Sequence, residues 1–315
     1  MWEDAQLGKA GGYARMETST LTAVLLPLAL GVIMLGLGLS LTVADFTRVL
    51  SFPRAVLVGL LCQMVLLPGV CFVIAKYSGL SPELAVGLML LSASPGGVTA
   101  NLYSHLAKGD VALNITLTAV NSVLAVLTLP LIVNFSLEHF LGETRAVPLQ
   151  FAKVAQIFVI VLGPVSLGMV LKRKWPSLSE KLNKPVKVLS ALFLVLVVAA
   201  TVFQERAMIG TYFRQVGAAA LAFNLASMLL GYFLPRLFQL SRQQAIAIGM
   251  EIGIHNGTLA IAMASSPQLL NNTTMAVPPA VYSIIMFFTA ALFGWLVNAS
   301  RRPQAASPTG TASGR

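Results

Sequence analysis

The sequence predicts an all-α polytopic membrane protein with nine transmembrane helices. Hydrophobic residues make up 57% of the 315 positions, charged residues make up only 10%, and the mean hydropathy is +0.81. Apolar runs of about 20 residues recur along the chain, and most charges lie between them. A soluble domain carries about 25% charged residues, so this composition excludes a soluble enzyme, a disordered protein and a coiled coil.

Nine apolar segments are long enough to cross a bilayer. They cover residues 20–43, 54–76, 83–107, 111–135, 151–172, 186–204, 216–235, 243–265 and 278–299. Together they predict one transmembrane domain over 20–299. Residues 1–19 precede it with mixed charge and no apolar core of a secretory signal, and residues 300–315 predict a disordered tail.

The basic residues predict the orientation of these spans. The net charge is +10. Fourteen of the 21 lysines and arginines lie in the loops and tail on one side of the predicted membrane, and many of these fourteen lie in 172–187. The richer set is expected in the cytoplasm, which places the N-terminus outside and the C-terminus inside. The charge therefore indicates topology rather than a nucleic-acid partner. Short loops and no organelle transit signature favour a bacterial inner membrane. The lipid bilayer is thus an expected partner of the chain.

Two of the predicted spans are interrupted. Ser94-Pro95-Gly96-Gly97 interrupts the third span, and three glycines surround polar residues in the eighth. Freed backbone groups are tolerated in a membrane only where they line a cavity or find ligands. The interruptions occupy matching places if 20–135 pairs with 186–299, which predicts two halves in inverted orientation with discontinuous helices near the midplane.

Glu251 is the only one of eleven acidic residues that lies deep within a predicted span. An intramembrane acid usually marks an ion path or a proton relay, although a protonated acid bonded to a neighbouring helix is the alternative. His255 and Asn256 follow it within a glycine-rich stretch. Free carbonyls of an unwound stretch, together with a carboxylate, suit a hard cation that prefers oxygen ligands. His255 is open to two interpretations, a packed core histidine or a proton-sensitive group beside the acid.

The first half of the chain carries its own polar set. Asn101 follows the Pro-Gly-Gly interruption, and a polar face in the next span consists of Asn114, Thr118, Asn121 and Ser122. Interhelical hydrogen bonding explains Asn121 and Ser122 equally well. For Asn101, Asn114 and Thr118 a ligand role is the better interpretation, because the Pro-Gly-Gly interruption lies beside these residues. Gln63, a lone amide in the second span, is more typical of helix packing.

No catalytic residue is predicted. The sequence has no HExxH, P-loop, GxSxG or Asp-rich motif, and its histidines and cysteines are too few for a metal cluster. Cys62 and Cys71 share one apolar run and are expected to be reduced core residues.

The sequence resembles the bile acid:sodium symporter family in three places. SPGGVTANLYSHLAKGDVALNITLT (94–118) is similar to that family's first crossing helix and the span after it. EIGIHNGTLA (251–260) is similar to the second crossing helix, and Gln63 falls where the family has a glutamine. The likeness in span order covers 20–299, and the chain resembles the nine-helix members of the family.

The resemblance implies a panel of three helices (20–43, 151–172 and 186–204), a core of the other six, and two sodium sites behind the crossing. One site would use Asn101, Asn114, Thr118 and Glu251. The other would use Gln63, Glu251, His255 and the carbonyls of Ile252 and Ile254. Substrate would lie against Gly96, Gly97, Val98, Thr99 and Asn256. His255 stands where a glutamine is usual and Ala100 where a serine is usual, so one or two sodium ions remain possible.

The implied function is sodium-coupled symport of a small organic anion, a bile acid or another small carboxylate, without an obligatory protein partner. A proton-coupled or single-sodium carrier of the same fold is the first alternative. A non-transporting membrane sensor or scaffold, an intramembrane enzyme and an arsenite-type exporter are the others. The enzyme would need a second acid, a nucleophile pair or a metal cluster near Glu251, and the exporter a cysteine in polar company; neither is present in the sequence.

Overall fold

A computed structural model describes residues 31–142, 151–186, 209–266 and 269–299, with 28, 188, 189 and 192 besides. Within these residues the regular structure is helical except for one isolated β-bridge. The predicted N-terminal segment 1–19, nearly all of the predicted span 186–204 and the predicted tail 300–315 lie outside the described residues. The predicted span 20–43 is described from residue 31 onward, with residue 28.

Twelve helices are numbered here in chain order within the described residues. They are α1 (Gly31–Ser40), α2 (Val43–Thr47), α3 (Pro53–Tyr77), α4 (Pro82–Ala93), α5 (Val98–Leu106), α6 (Val111–Leu141), α7 (Phe151–Lys174), α8 (176–186), α9 (Ile209–Leu237), α10 (Arg242–Gly253), α11 (Gly257–Ser265) and α12 (Val277–Ala299). Single 3₁₀ turns over Arg48–Leu50 and Thr274–Ala276 join neighbouring helices, and α3 contains a π-helical turn over Cys62–Leu66.

Four helices in the described part of the chain are long and apolar enough to cross a membrane. They are Pro53–Tyr77, Val111–Leu141, Phe213–Leu237 and Thr274–Ala299. A fifth is added if α1 and the helical segment Val43–Leu50, which meet at a bend of 72°, count as one span. The polytopic membrane class predicted from composition is thus supported by helix length and hydropathy.

The helix ends differ from the predicted ends in two informative places. α6 continues to Leu141, beyond the expected end at 135, and Gly142 ends it in a left-handed conformation at φ 63°. The stretch between 173 and 185, expected as a charged connection, is instead helical from residue 176. Proline at the first position of a helix has the required φ and lacks only an N–H that would be unpaired there, so Pro176 favours this start.

Both predicted interruptions separate two short helices. α4 and α5 are joined by 94–97, and α10 and α11 are joined by 254–256. Ser94 has ψ 144°, the extended conformation that a following proline favours. After the second interruption, the Asn256 side chain accepts a hydrogen bond from the Leu259 N–H at 3.0 Å and begins α11.

The two interruptions cross each other as antiparallel extended backbone. The Gly97 N–H donates to the Ile254 carbonyl at 2.8 Å, and the Asn256 N–H donates to the Pro95 carbonyl at 2.8 Å. Gly96 and His255 face each other in the resulting β-bridge. These bonds pair backbone groups that the helix ends leave without intrahelical partners. α4 and α10 are buried along most of their length, so the crossing lies at the centre of the helix bundle.

Candidate functional site

Glu251 lies in the last turn of α10, immediately before the crossing, and is fully buried. Its Oε2 accepts a hydrogen bond from the Thr118 hydroxyl at 2.6 Å, and its Oε1 accepts one from the Asn121 amide at 3.3 Å. Gly96 packs so tightly against the carboxylate that a β-carbon there would overlap it. Among the described residues, no lysine or arginine pairs with Glu251. The crossing thus encloses one carboxylate whose described partners are neutral.

The polar face predicted for the fourth span is buried, and its members have different partners. Asn114 donates from its amide to the Ala247 carbonyl of α10 at 2.7 Å. Thr118 and Asn121 contact Glu251, whereas Ser122 donates to the Thr118 carbonyl of its own helix at 2.6 Å. Asn121, for which interhelical hydrogen bonding was an equal alternative, makes an interhelical hydrogen bond whose acceptor is the acid. The helical spacing was the signal that placed Asn121 on this face, but spacing alone does not name the partner.

Four buried amide oxygens on α3, α5 and α6 have no hydrogen-bond partner among the described residues. These oxygens are Gln63 Oε1, Asn101 Oδ1, Asn114 Oδ1 and Asn121 Oδ1. A buried acceptor without a donor costs about 1–3 kcal/mol, so each such oxygen needs a physical explanation. Amide and carboxylate oxygens are the ligands that hard monovalent and divalent cations prefer. The donor set therefore fits a hard cation.

Gln63 projects from the π-helical turn of α3 toward the first interruption. Its amide donates to the Ser94 carbonyl at 2.9 Å and to the Ser92 carbonyl at 3.4 Å. π-helical turns are rare and are frequent at functional sites, because the extra residue redirects a side chain. Gln63 thus binds a backbone that the interruption frees, and the described hydrogen bonds do not join it to Glu251.

His255 lies on the other side of the same Ser94 carbonyl. Its Nδ1 lies 3.1 Å from that oxygen. Since a carbonyl can only accept, Nδ1 carries the hydrogen. The ring stacks on Phe223 at 5.6 Å between centroids and meets Tyr282 edge-on at 5.5 Å. Nε2 is buried and has no partner among the described residues. The imidazole is therefore fixed in orientation by one hydrogen bond and two aromatic rings.

The remaining predicted ligands are distributed along the crossing. Asn101 lies in the first turn of α5, half-buried, without a described hydrogen bond to Glu251. Ile252 and Ile254 are buried, and the Ile254 carbonyl already accepts the Gly97 N–H. Among the predicted substrate contacts, Gly96 and Gly97 are buried, Thr99 is exposed and Asn256 is half-buried. Val98 is described only as the first residue of α5.

A small cavity lies beside the crossing. Its volume is about 10 Å³, and Gln63, Pro95 and Asn121 are among its lining residues. This space accommodates roughly one water-sized particle. Two of its lining residues carry unpartnered amide oxygens, Gln63 Oε1 and Asn121 Oδ1. A second cavity of about 10 Å³, between Met34 of α1 and Leu259 of α11, is also lined by Pro95.

Two residues that hold the second interruption were missed by the sequence reasoning. The Asn224 amide donates to the Gly253 carbonyl at 2.9 Å, and the Tyr282 hydroxyl donates to the same oxygen at 3.0 Å. Asn224 on α9 thereby does for the second interruption what Gln63 on α3 does for the first. The available sequence signal is a single amide in an otherwise apolar span, which Asn224 shares with Gln63.

The comparison with protein families decides the classification. A family model described as "Sodium Bile acid symporter family" matches residues 15–211, more than half of the chain. The chain belongs to the sodium bile acid symporter family. The family resemblance inferred from the crossing-helix motifs is thus confirmed, although the second motif at 251–260 lies beyond the matched segment.

Individual relatives span plants, bacteria and mammals. The chain is 29% identical to the probable sodium/metabolite cotransporter BASS2, chloroplastic, of Oryza sativa subsp. japonica, over 88% of this chain and 64% of that protein. It is 27% identical to the sodium-dependent transporter YocS of Bacillus subtilis, over 87% and 83%. It is 24% identical to the human ileal sodium/bile acid cotransporter, over 87% and 79%. The chain spans less than two thirds of the rice protein's length.

Family membership settles one of the open alternatives. The family comprises sodium-dependent cotransporters rather than enzymes, which confirms the expectation that this chain is not an intramembrane enzyme. Separately, the described residues contain no group of three or more His, Cys, Asp or Glu side chains that could hold a metal. The polar groups described around Glu251 are neutral hydroxyl and amide groups.

Proposed function

We propose that the chain is a secondary active transporter that couples sodium to the movement of a small organic anion by alternating access. One observation carries the proposal: Glu251 is fully buried at the crossing, and its described partners are neutral. An uncompensated charge in such a place costs several kcal/mol. A bound cation removes that cost and also gives the unpartnered amide oxygens a ligand to bind.

The donor set favours a monovalent cation. One carboxylate and several neutral oxygens supply a single negative charge, whereas tight divalent sites in proteins use several carboxylates. We assign Asn101, Asn114, Thr118 and Glu251 to one sodium site, with Asn121 as an additional ligand or partner of the acid. The small cavity between Gln63 and Asn121 supports an ion position beside these residues.

The second sodium site is the less complete one. Its proposed members are Gln63, Glu251, His255 and the carbonyls of Ile252 and Ile254. The Gln63 oxygen is available, but Nδ1 of His255 is occupied by the Ser94 carbonyl and Nε2 offers nitrogen, which suits sodium poorly. A carrier that uses one sodium, or one sodium and one proton, is therefore the second candidate, and the fixed imidazole is the observation that favours it.

The anion site is proposed at the crossing itself, against Gly96, Gly97, Val98, Thr99 and Asn256. α5 and α11 begin there, and the N-terminus of a helix attracts negative charge. In a carrier that binds two sodium ions, the one carboxylate leaves an excess positive charge that adds to this attraction. Two of the relatives are named as a probable sodium/metabolite cotransporter and a sodium/bile acid cotransporter, and a small carboxylate is the substrate class proposed here.

The helix order supports an inverted-repeat architecture. A long helix, an interrupted pair and a second long helix occur twice, as α3 to α6 and as α9 to α12. We propose nine spans in a multi-pass cell-membrane protein, with the panel helices 20–43, 151–172 and 186–204 forming the surface against which the core moves. The distribution of lysine and arginine between the loops supports a cytoplasmic C-terminus.

The test is the thermal stability of the detergent-purified chain in sodium, potassium or choline chloride at equal ionic strength. A ligand at a hundred times its dissociation constant stabilises by about 2.7 kcal/mol, which shifts the midpoint measurably. A sodium-specific shift is expected in the wild type and in Glu138→Gln, which removes an exposed carboxylate. It is expected to vanish in Glu251→Gln.

Transport is then measured in proteoliposomes with a panel of carboxylates under an imposed sodium gradient. Uptake that requires sodium and Glu251 supports symport. A sodium-specific stability shift that survives Glu251→Gln contradicts the assigned site. Sodium binding without uptake of any carboxylate favours the sensor or scaffold alternative.

A further inference from the structure

A cavity much larger than those beside the crossing lies away from it. Its volume is about 550 Å³, and it is lined by the end of α1, the bend that follows, the end of α7 and the start of α8. Cavities of this size hold drug-sized ligands in other proteins. None of the residues assigned to cation or anion binding above lines it.

The polar lining of this cavity contains two basic side chains and one buried amide oxygen that has no hydrogen-bond partner among the described residues. Lys172 and Arg173 line it from α7, while Ser179, Glu180 and Asn183 line it from α8. The Lys172 ammonium donates to the Ser40 carbonyl at 2.6 Å, which ties α7 to the end of α1. Asn183 Oδ1 is buried and has no hydrogen-bond partner among the described residues. An anion with a hydroxyl group would satisfy both kinds of group.

The other side of the cavity is apolar. Leu39 and Leu41 from the first helix and its bend, with Met169 from α7, supply that wall. A soluble phosphate gains nothing from such a wall, whereas the glycerol and acyl part of a lipid buries against it. The cavity therefore matches an amphiphile with an anionic head.

The position of the cavity along the helices matches a membrane interface. α7 ends in Lys172, Arg173 and Lys174, and the exposed Trp175 follows directly. Runs of basic residues and tryptophan at the end of an apolar helix are typical of the level of the lipid headgroups. Basic pockets between helices at that level bind anionic lipid headgroups.

We propose that this cavity binds an anionic phospholipid with a hydroxylated headgroup, of the phosphatidylglycerol type. The phosphate contacts Arg173 and Lys172, the headgroup hydroxyl donates to Asn183 Oδ1, and the acyl part lies against Leu39 and Met169. Glu180 is the one acidic group on the cavity wall, and it disfavours ligands with further negative charge. The lipid contacts both sides of the 72° bend after α1 and so stabilises that bend.

The experiment uses the full chain in detergent, delipidated and then titrated with phosphatidylglycerol, phosphatidylcholine or sn-glycerol 3-phosphate. Bound lipid is counted by native mass spectrometry, and the unfolding midpoint is measured in parallel. Phosphatidylglycerol is expected to bind the chain and raise its unfolding midpoint. Phosphatidylcholine at the same mole fraction is expected to do neither. Arg173→Gln is expected to weaken phosphatidylglycerol binding roughly five-fold.

The matched control is Lys174→Gln, which removes the same charge from the next residue, outside the cavity lining. It is expected to keep the affinity. Asn183→Ala is expected to weaken phosphatidylglycerol but not phosphatidic acid, which lacks the headgroup hydroxyl. Equal losses in Arg173→Gln and Lys174→Gln overturn the proposal, since they indicate a diffuse surface charge. Binding of glycerol 3-phosphate as strong as that of the lipid, and dependent on Arg173, also overturns it in favour of a soluble phosphate ester.

Discussion

Thr118 on α6 donates its hydroxyl hydrogen to Glu251 on α10 at 2.6 Å, although 133 residues separate them. This bond joins the long helix of the first half of the chain to the interrupted helix of the second. It is also the shorter of the two described side-chain hydrogen bonds to the buried carboxylate, since the Asn121 amide lies 3.3 Å from the other carboxylate oxygen.

Thr118→Val is expected to weaken sodium binding roughly ten-fold, since a hydrogen bond to a charged group contributes about 1.5–3 kcal/mol and part of that is recovered by relaxation. The measurement is the sodium concentration that gives half of the thermal stabilisation. Thr116→Val is the control, because the Thr116 hydroxyl bonds the Ala112 carbonyl of its own helix at 2.9 Å. Equal effects of the two substitutions would mean that the Thr118 hydroxyl acts only on helix stability.

Gly96→Ala is expected to abolish the sodium response, because the added β-carbon overlaps the Glu251 carboxylate. Gly69→Ala is the matched control on α3, where a β-carbon meets nothing within 4 Å. A helical glycine costs about 0.5–1 kcal/mol relative to alanine, so the control is expected to retain the response and gain slight stability. A folded Gly96→Ala protein that responds to sodium like the wild type contradicts the close packing of this glycine on the acid.

The sequence contained enough to predict both interruptions, because the local chemistry of proline and glycine determines where a helix stops. Pro95 removes an N–H and favours the extended conformation that Ser94 adopts. The helical period likewise placed Thr118 and Asn121 on one face. Which residue they contact depends on how α6 packs on α10, and no local pattern encodes that packing.

His255 illustrates the limit of sequence reasoning more clearly. The family resemblance identified it as a departure, since a glutamine is usual at that position. Its environment comes from Phe223 on α9 and Tyr282 on α12, both distant along the chain. Asn224 was missed for the same reason, since a single amide in an apolar helix gains meaning only when the carbonyl it binds is known.

His255→Gln is expected to increase the number of sodium ions that bind. The amide oxygen replaces a ring nitrogen beside Gln63 and Glu251, and sodium prefers oxygen ligands. The Hill coefficient of sodium-dependent stabilisation is expected to rise from about 1 toward about 2. Stability without sodium is expected to fall by about 0.5–1.5 kcal/mol, because the aromatic contacts of the imidazole are lost.

Gln63→Leu in the His255→Gln background provides the control, because it removes a second proposed ligand and is expected to return the coefficient to about 1. An unchanged coefficient in His255→Gln would show that the imidazole does not limit the second site. A coefficient of about 2 in the unsubstituted chain would show that His255 already supports two ions.

Asn224 and Tyr282 provide a test of how the second interruption is held, independent of any ion. Both donate to the Gly253 carbonyl, so Tyr282→Phe leaves one donor in place and is expected to cost about 1 kcal/mol of unfolding free energy. Asn224→Leu is expected to cost less, because it also removes a buried amide oxygen that has no described partner.

The double variant of Asn224 and Tyr282 is expected to lose more than the sum of the two single losses. It leaves a buried carbonyl at the end of α10 without a donor, and that group then carries its full desolvation cost of about 1–3 kcal/mol. Tyr103→Phe is the control, since Tyr103 stacks on Phe287 and its hydroxyl has no described hydrogen bond. Unfolding free energies from denaturant titrations measure the cycle, and strictly additive losses would mean that the two donors do not share the Gly253 carbonyl.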